Sequence, residues 1–290
     1  MNTAQFDLDN HNAYAAWREQ KLADYPTKLE QLMVEIKDLT RITDIEKQAL
    51  LTRCHKTNMA LFKTNIHWQK NELVFINMLK QLGVFESDKN LGANRQGVSS
   101  LSVGGAAYKP FADYTPYQNT ALGWHTDGYY NASDKQVLCV TLLCYQPADE
   151  GGENGLLDHE IAYILLRDKN PEYIRALMAK DVMTIPARLE NGKIARPDRV
   201  GAVFSVINGY LHMRYTARTK SIFWKQDDAT QQAIMALQQI LNTPSEYKFQ
   251  AKLRSGWGLV SNNVLHTRTA YQDQDKKRAL ERVRFTDRLK

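Results

Sequence analysis

Cysteine is scarce in this 290-residue chain, which has only Cys54, Cys139 and Cys144. An odd number without CxxC spacing gives no disulfide framework or redox motif. Cys139 and Cys144 sit in the apolar run VLCVTLLCY, so core packing is expected, and a reducing cytoplasm with it. Long apolar runs are missing as well. No stretch approaches the roughly 20 residues that span a bilayer. The N-terminus, MNTAQFDLDNHNAY, has neither a basic start nor an apolar stretch, so neither a membrane partner nor a signal peptide is expected. Internal repeats, low-complexity tracts and Pro/Gly-rich linkers are also absent. Residues 1–290 therefore read as a single domain. The formal net charge is +6, but basic and acidic residues interleave along the chain. Only the last 15 residues, KKRALERVRFTDRLK, are conspicuously basic. With no clustered basic–aromatic stripe, nucleic acid is not the expected partner. Arginines facing small carboxylates account for part of the charge equally well.

With 43% hydrophobic and 24% charged residues, the chain can bury a sizeable core without staples. The first third reads as helical, with a segment over about 1–55 packed on the rest. In KLEQLMVEIKDL, Leu29, Leu32, Met33, Ile36 and Leu39 recur at three- and four-residue spacing and predict a helix. Thr43 is an N-cap candidate for DIEKQALLTRCHK. MALFKT then reads as a strand, and ELVFINMLKQLG as a helix stopped by Gly83. From about residue 97 the texture changes. VSSLSV, VLCVTLLCY, VMTIPARL, AVFSVINGYLHMRY, YKFQAKL and WGLVSNN are rich in β-branched and aromatic residues, as strands are. Asn208-Gly209 is a hairpin signal. Two helical stretches interrupt the series: DHEIAYILLRDKNPEYIRALMA, with Asn170-Pro171 inside it, and DATQQAIMALQQILN. The expected fold is α+β with a mainly β core, a double-stranded β-helix (jelly-roll) barrel buttressed by helices.

The chemistry concentrates in GWHTDGYYN at 123–131. In an extended strand His125 and Asp127 point to one face, giving two of the three ligands of a 2-His-1-carboxylate facial triad. An HxD pair alone is a weak signal, equally read as a strand-edge histidine beside a carboxylate. A third ligand has to come from a distant strand. His266 in WGLVSNNVLHTRTAY follows a strand-like segment, and Arg278 opens the strand-like KRALERVRF twelve residues later. A guanidinium there is suited to a carboxylate through paired hydrogen bonds. His159 and Glu160 are expected to begin a helix rather than bind metal. His55, His67 and His212 lack a spaced partner.

WHTDGYY, EGGENGLLD (150–158), NNVLHTRTAY (262–271) and RALER (278–282) together resemble the taurine dioxygenase and gamma-butyrobetaine hydroxylase superfamily of iron(II)/2-oxoglutarate oxygenases. The resemblance runs from about residue 40 to the C-terminus. It implies His125, Asp127 and His266 as iron(II) ligands, with 2-oxoglutarate and O2 as co-substrates. It places Arg278 at the 2-oxoglutarate arginine and Asn154 where relatives often carry Thr or Ser contacting the same molecule. The implied reaction hydroxylates a substrate C–H bond and releases succinate and CO2. Desaturation and cleavage after hydroxylation stay open, whereas Asp127 argues against halogenation, because halogenating relatives lack the carboxylate.

For the substrate, Arg282 matches the arginine that binds the anionic group in taurine dioxygenase. LHMRYTART, with Arg214 and Arg218, resembles the gamma-butyrobetaine side, whose members hold a trimethylammonium in an aromatic cage, and Tyr117 falls near one cage position. Arg284 stands where another cage aromatic is expected, and a cation there repels a quaternary ammonium. The candidate substrate-binding residues are therefore Arg282, Tyr117 and Arg214, facing a small anionic or zwitterionic metabolite. The competing readings are a noncatalytic barrel that binds nucleic acid or senses metal or 2-oxoglutarate, and an oxygenase acting on a carrier-bound or macromolecular substrate. Association into a homo-oligomer stays open.

Overall fold

The computed structural model describes residues 3–64, 71–90, 92–104 and 114–290. Two sheets occupy its centre, built from β1 (Met33–Ile36), β2 (Met59–Thr64), β3 (Val98–Leu101), β4 (Leu122–His125), β5 (Cys139–Gln146), β6 (Asn154–Leu157), β7 (Lys248–Ala251), β8 (Trp257–Ser261), β9 (Leu265–Arg268) and β10 (Ala279–Phe285). The larger sheet has the order β1-β2-β8-β5-β10-β3, and the smaller β7-β6-β9-β4. β1 and β2 pair in parallel, and the other pairings in these sheets are antiparallel. Among the described residues the two sheets share a hydrophobic core but are not hydrogen-bonded into one closed barrel.

Strand alternation sorts side chains between two cores. In β5, Leu142 and Cys144 join Leu156, Leu157 and Leu265 of the smaller sheet, while Cys139 and Leu143 pack on the other side. That second core also holds Leu50 and Cys54 of α2 (Asp44–Thr57) and Phe75, Met78 and Leu79 of α3 (Glu72–Gln81). A sheet buried on both faces needs apolar residues at every position, and so β5 reads as an unbroken run. All three cysteines are buried and free, consistent with core packing. β10 follows the same alternation. Leu280 joins the core between the sheets and Val283 and Phe285 the helix side, which turns Arg282 and Arg284 inward.

The remaining helices are α1 (His11–Leu22), α4 (His159–Lys169), α5 (Pro171–Leu177) and α6 (Asp228–Asn242). Their ends follow the capping signals. Thr43 Oγ1 accepts from Glu46 N at 3.3 Å while Glu46 Oε2 takes the Thr43 N–H at 2.7 Å, a reciprocal capping box. Asn170 caps α5, with Pro171 in its first turn. His159 and Glu160 open α4 as expected. α6 buries Ala233, Ile234, Leu237 and Leu241 along one stripe. Lys21 at the end of α1 is buried between Asp158 and Glu160, at 2.7 and 2.5 Å, which ties the N-terminal helix to the junction of β6 and α4. Asn208 and Gly209, at φ 51° and 85°, turn the hairpin between Phe204–Ile207 and Tyr210–Met213. No helix among the described residues is long and apolar enough to cross a membrane.

One helix expected from sequence is not formed. Leu29–Leu32 makes a single 3-10 turn, and Met33–Ile36 continues as β1. Leu32, Val34 and Ile36 are buried while Glu35 is exposed, a two-residue period hidden within the three-to-four spacing. Pairing along the whole of β1 with Leu61–Thr64 of β2 decides between the two readings, and that partner is remote in sequence. The segment 1–55 is accordingly a mixture of helix, 3-10 turn and strand rather than a helical block.

Candidate active site

Sheet register brings the distant triad together. His266 on β9 stands directly opposite His125 on β4, and the ring centroids are 4.2 Å apart. Asp127 follows two residues after His125, past the end of β4. Each of the three offers one ligand atom, all within 4.8 Å of one another, and no second such group occurs among the described residues. His67 lies outside the described residues.

Both imidazoles are oriented alike. His125 Nδ1 is 2.8 Å from Gly123 O, and His266 Nδ1 is 2.9 Å from Val264 O. A carbonyl only accepts, so Nδ1 carries the proton in each ring and Nε2 keeps its lone pair for a metal. Asn263 brackets the Asp127 backbone. Its Oδ1 accepts from Asp127 N at 2.7 Å, and its Nδ2 donates to Asp127 O at 2.9 Å and Val137 O at 2.7 Å. Gly128 completes the turn at φ +67°, where an added Cβ would lie 2.4 Å from Val137 Cγ2. Any other residue there meets both a left-handed backbone and a clash.

The electrostatics favour the metal-binding protonation states. Burial pushes the Asp127 carboxyl up, but Arg282 and then Arg284 outweigh it and hold the group well below the usual carboxylate range. Arg282 Nη1 lies 3.2 Å and Arg284 Nη1 3.9 Å from Asp127 Oδ1. Burial, reinforced by His266, pushes the His125 imidazole down to about 3. A carboxylate and a neutral imidazole are what a divalent cation needs. Asp127 Oδ2 is buried with no hydrogen-bond partner, a costly state for an anionic oxygen that a bound cation relieves. Two imidazoles and one carboxylate suit iron(II). The residues present therefore fit the metal.

Arg278 is 3% exposed. Its guanidinium lies 5.0 Å from the Tyr271 ring centroid and makes a long 3.5 Å contact to Leu101 O. Gly152 leaves it room, since a Cβ there would come within 3.3 Å of Arg278 Nε. The GGEN segment thus packs against this arginine. Asn154 Nδ2 donates to Thr267 O at 3.1 Å, and its Oδ1 is buried without a partner.

A cavity of about 380 Å³ reaches two of the metal ligands, His125 and Asp127. Its walls include His125, Asp127, Tyr117, Tyr129, Arg218 and Arg282, whereas Arg278, Asn154 and His266 do not line it. Tyr117 is buried and its hydroxyl donates to Gly92 O at 2.9 Å, so what it presents is ring surface. Arg214 requires a correction. It does not line the cavity, and its guanidinium is tied to the carbonyls of Tyr129, Met183, Gly201 and Arg199 at 2.7–3.3 Å. Those four acceptors leave it a framework for the cavity wall rather than a substrate contact. Sequence reasoning assigned no role to Asn263 or Arg268, although both lie in NNVLHTRTAY. Arg268 donates to the carbonyls of Thr115, Pro116, Gln118 and Thr120 at 2.6–3.3 Å, pinning the loop that carries Tyr117.

The family described as "Taurine catabolism dioxygenase TauD, TfdA family" matches residues 23–284. The chain belongs to that family. The triad is its candidate iron site. Among curated proteins it is similar to a uridine-5'-phosphate dioxygenase from Amycolatopsis sp., 28% identical over 188 residues, covering 60% of this chain and 65% of that protein. Among solved structures, a putative alpha-ketoglutarate-dependent taurine dioxygenase from Burkholderia xenovorans has a TM-score of 0.60 at 18% identity, covering 87% and 88% of the two chains. AAD-2 in complex with Mn(II) and N-oxalylglycine reaches 0.63 at 14% identity, covering 89% of this chain and 95% of that one. An asparagine oxygenase reaches 0.56 at 12%, covering 98% and 92%. At these identities the structural likeness establishes the mixed α+β fold and nothing finer.

Proposed function

We propose that the TauD-family chain oxidises an unactivated C–H bond of a small anionic metabolite, most simply by hydroxylation, within a jelly-roll barrel formed by its two sheets. In that reaction substrate C–H, 2-oxoglutarate and O2 give substrate C–OH, succinate and CO2. The observation carrying this reading is the compact His125–Asp127–His266 group, two of whose members, His125 and Asp127, line an arginine- and tyrosine-walled cavity. Iron(II) held by those three side chains supplies O2 activation coupled to oxidation of 2-oxoglutarate. The chain's own residues do the rest. Gly123 O and Val264 O fix the imidazoles, and Asn263 fixes the carboxylate backbone. Arg278, with Asn154 beside the GGEN turn, is the candidate grip for the distal carboxylate of 2-oxoglutarate. Arg282, on the cavity wall and 3.2 Å from Asp127, is the candidate anchor for an anionic group of the substrate. The curated relative's name has it act on uridine 5'-phosphate, itself a small anion.

Anaerobic titration of iron(II)-loaded protein with 2-oxoglutarate tests this reading. A visible metal-to-ligand charge-transfer band is expected in the parent and not in His266→Ala. Iron binding without any such band would remove 2-oxoglutarate from the site.

A further inference from the structure

The cavity holds more cationic charge than one monoanionic group requires. Arg188, Arg196, Arg218 and Arg282 line it, and Asp127 is the single carboxylate among the lining residues. Asp127 belongs to the metal site and already faces Arg282. Arg188 is paired at 3.0 Å with Glu190, which is outside the lining. Arg196 and Arg218 have no carboxylate within 4 Å among the described residues. Arg282 is buried beside Asp127 while Arg218 is exposed, so the lining of one cavity runs from a buried cation to a solvent-facing one.

The outer end is held in place from several sides. Arg196 donates to Pro197 O at 2.9 Å and Pro186 O at 2.6 Å, which orients the guanidinium while leaving its charge uncompensated. Burial, then repulsion from Arg199 and Arg188, pulls Arg196 below the usual arginine range, as expected of crowded cations lacking an anion. The Arg218 guanidinium lies 5.7 Å from the Tyr129 ring centroid. Tyr117, Tyr129 and Tyr130 line the same cavity.

Ligand chemistry follows from charge and shape. A carboxylate carries one charge on two oxygens, and one arginine satisfies it bidentately. A phosphate monoester carries about 1.5 to 2 negative charges on three oxygens, enough to engage several guanidiniums. We propose that Arg196 and Arg218, flanked by Arg188, form a phosphate subsite at the cavity mouth, and that the substrate is a phosphate monoester whose body lies among the tyrosines with its reacting carbon towards His125 and Asp127. The subsite stands on these arginines sharing one cavity lining, two of them without a carboxylate partner among the described residues, and only its identification as a substrate site rests on the oxygenase reading above.

Calorimetric titration of protein loaded with Mn(II) and 2-oxoglutarate tests the subsite with uridine 5'-monophosphate, uridine and inorganic phosphate as probes. The monophosphate is expected to bind at least tenfold more tightly than uridine, with inorganic phosphate competing for it. Arg218→Gln, at an exposed position, and Arg196→Gln should each weaken the monophosphate at least tenfold and uridine less than twofold. Because Arg196 also holds two backbone carbonyls, Arg196→Lys is the second variant, and it should keep the fold and most of the phosphate preference. Equal binding of uridine and its monophosphate, no binding of either phosphate probe, or a preference untouched by the arginine variants would overturn the subsite. The charge-transfer titration separates the two readings. A band without phosphate preference leaves the oxygenase and removes the subsite, and arginine-dependent phosphate preference without a band does the reverse.

Discussion

Replacing Asn263 tests whether the carboxylate ligand is held by its neighbour or by the turn alone. Its side chain makes three hydrogen bonds of 2.7–2.9 Å, two to the backbone of Asp127 and one to Val137 O, and it is 1% exposed. At a net value of about 1 kcal/mol per bond the loss is about 3 kcal/mol, and more if the buried partners find no water. Asn263 also sits at φ 53°, a left-handed conformation that costs a Cβ-bearing residue roughly 1–2 kcal/mol. Asn263→Gly removes the side chain without that strain, whereas Asn263→Ala incurs both costs. The expected order of urea stability for the metal-free protein is parent, then Gly, then Ala, the reverse of the usual Ala-over-Gly order. Outer partners of metal ligands are typically worth about 10–100-fold in affinity, so both variants should bind iron(II) at least tenfold more weakly in an anaerobic equilibrium titration. If Asn263→Gly kept parental stability and bound iron(II) within twofold of the parent, the bracket would have no part in holding Asp127.

Three further outcomes follow from the same structure. Arg278→Met should raise the 2-oxoglutarate concentration needed for the charge-transfer band at least tenfold with iron loading unchanged. It should also leave the ligand-free protein as stable or more stable in urea, because it removes a buried cation with no carboxylate within 4 Å among the described residues; parental co-substrate affinity would end Arg278's assignment. Gly128→Ala should destabilise by more than about 1 kcal/mol through its φ of +67° and the Val137 clash, and Val137→Ala should recover the clash part in a double-mutant cycle, so additive losses would remove the clash from the account. Burial, then His159, Arg288 and Arg214, push His212 from 6.5 down to about 3. The unfolded chain therefore binds more protons between those values, and stability falls as pH drops through that window by about 1.4 kcal/mol per unit. His212→Gln should flatten that slope in urea titrations of metal-free protein, and parallel slopes would show that the imidazole is not held neutral.

Much of this was legible in sequence because local rules and long-range packing agree. Thr43 with Glu46, Asn170-Pro171 and Asn208-Gly209 each specify a cap or turn through their own backbone needs, and the structure forms all three. The stretch Leu29–Leu39 was misread because its apolar spacing suits two periods, and only pairing with β2 selects the strand. Arg214 was misread for a related reason. An arginine near a motif suggests a ligand contact, but its role depends on which acceptors the fold brings within reach, here four backbone carbonyls. Asn263 lay in plain view in the NNVLH segment. Its partner Asp127 is 136 positions away, so no local signal announces the contact.

The basic C-terminus illustrates how charge count and charge placement separate. Read as sequence, KKRALERVRFTDRLK is the one run that suggests a polyanion-binding surface. In the fold, Arg278, Arg282 and Arg284 are 3%, 8% and 1% exposed, because β10 is an inner strand of a sheet covered on both faces. Buried guanidiniums are tolerated only where anions or strong acceptors meet them. Arg284 meets Asp88 and the Tyr130 hydroxyl, and Arg282 meets Asp127. Arg278 faces the Tyr271 ring and a distant carbonyl, and no carboxylate stands within 4 Å of it among the described residues. A cation buried beside Gly152 without an ion pair is a poor stability device. The proposed grip on the distal carboxylate of 2-oxoglutarate would supply the missing partner. Three of the run's arginines thus lie inside the molecule, so a count of charges along the sequence overstates what the run presents at the surface.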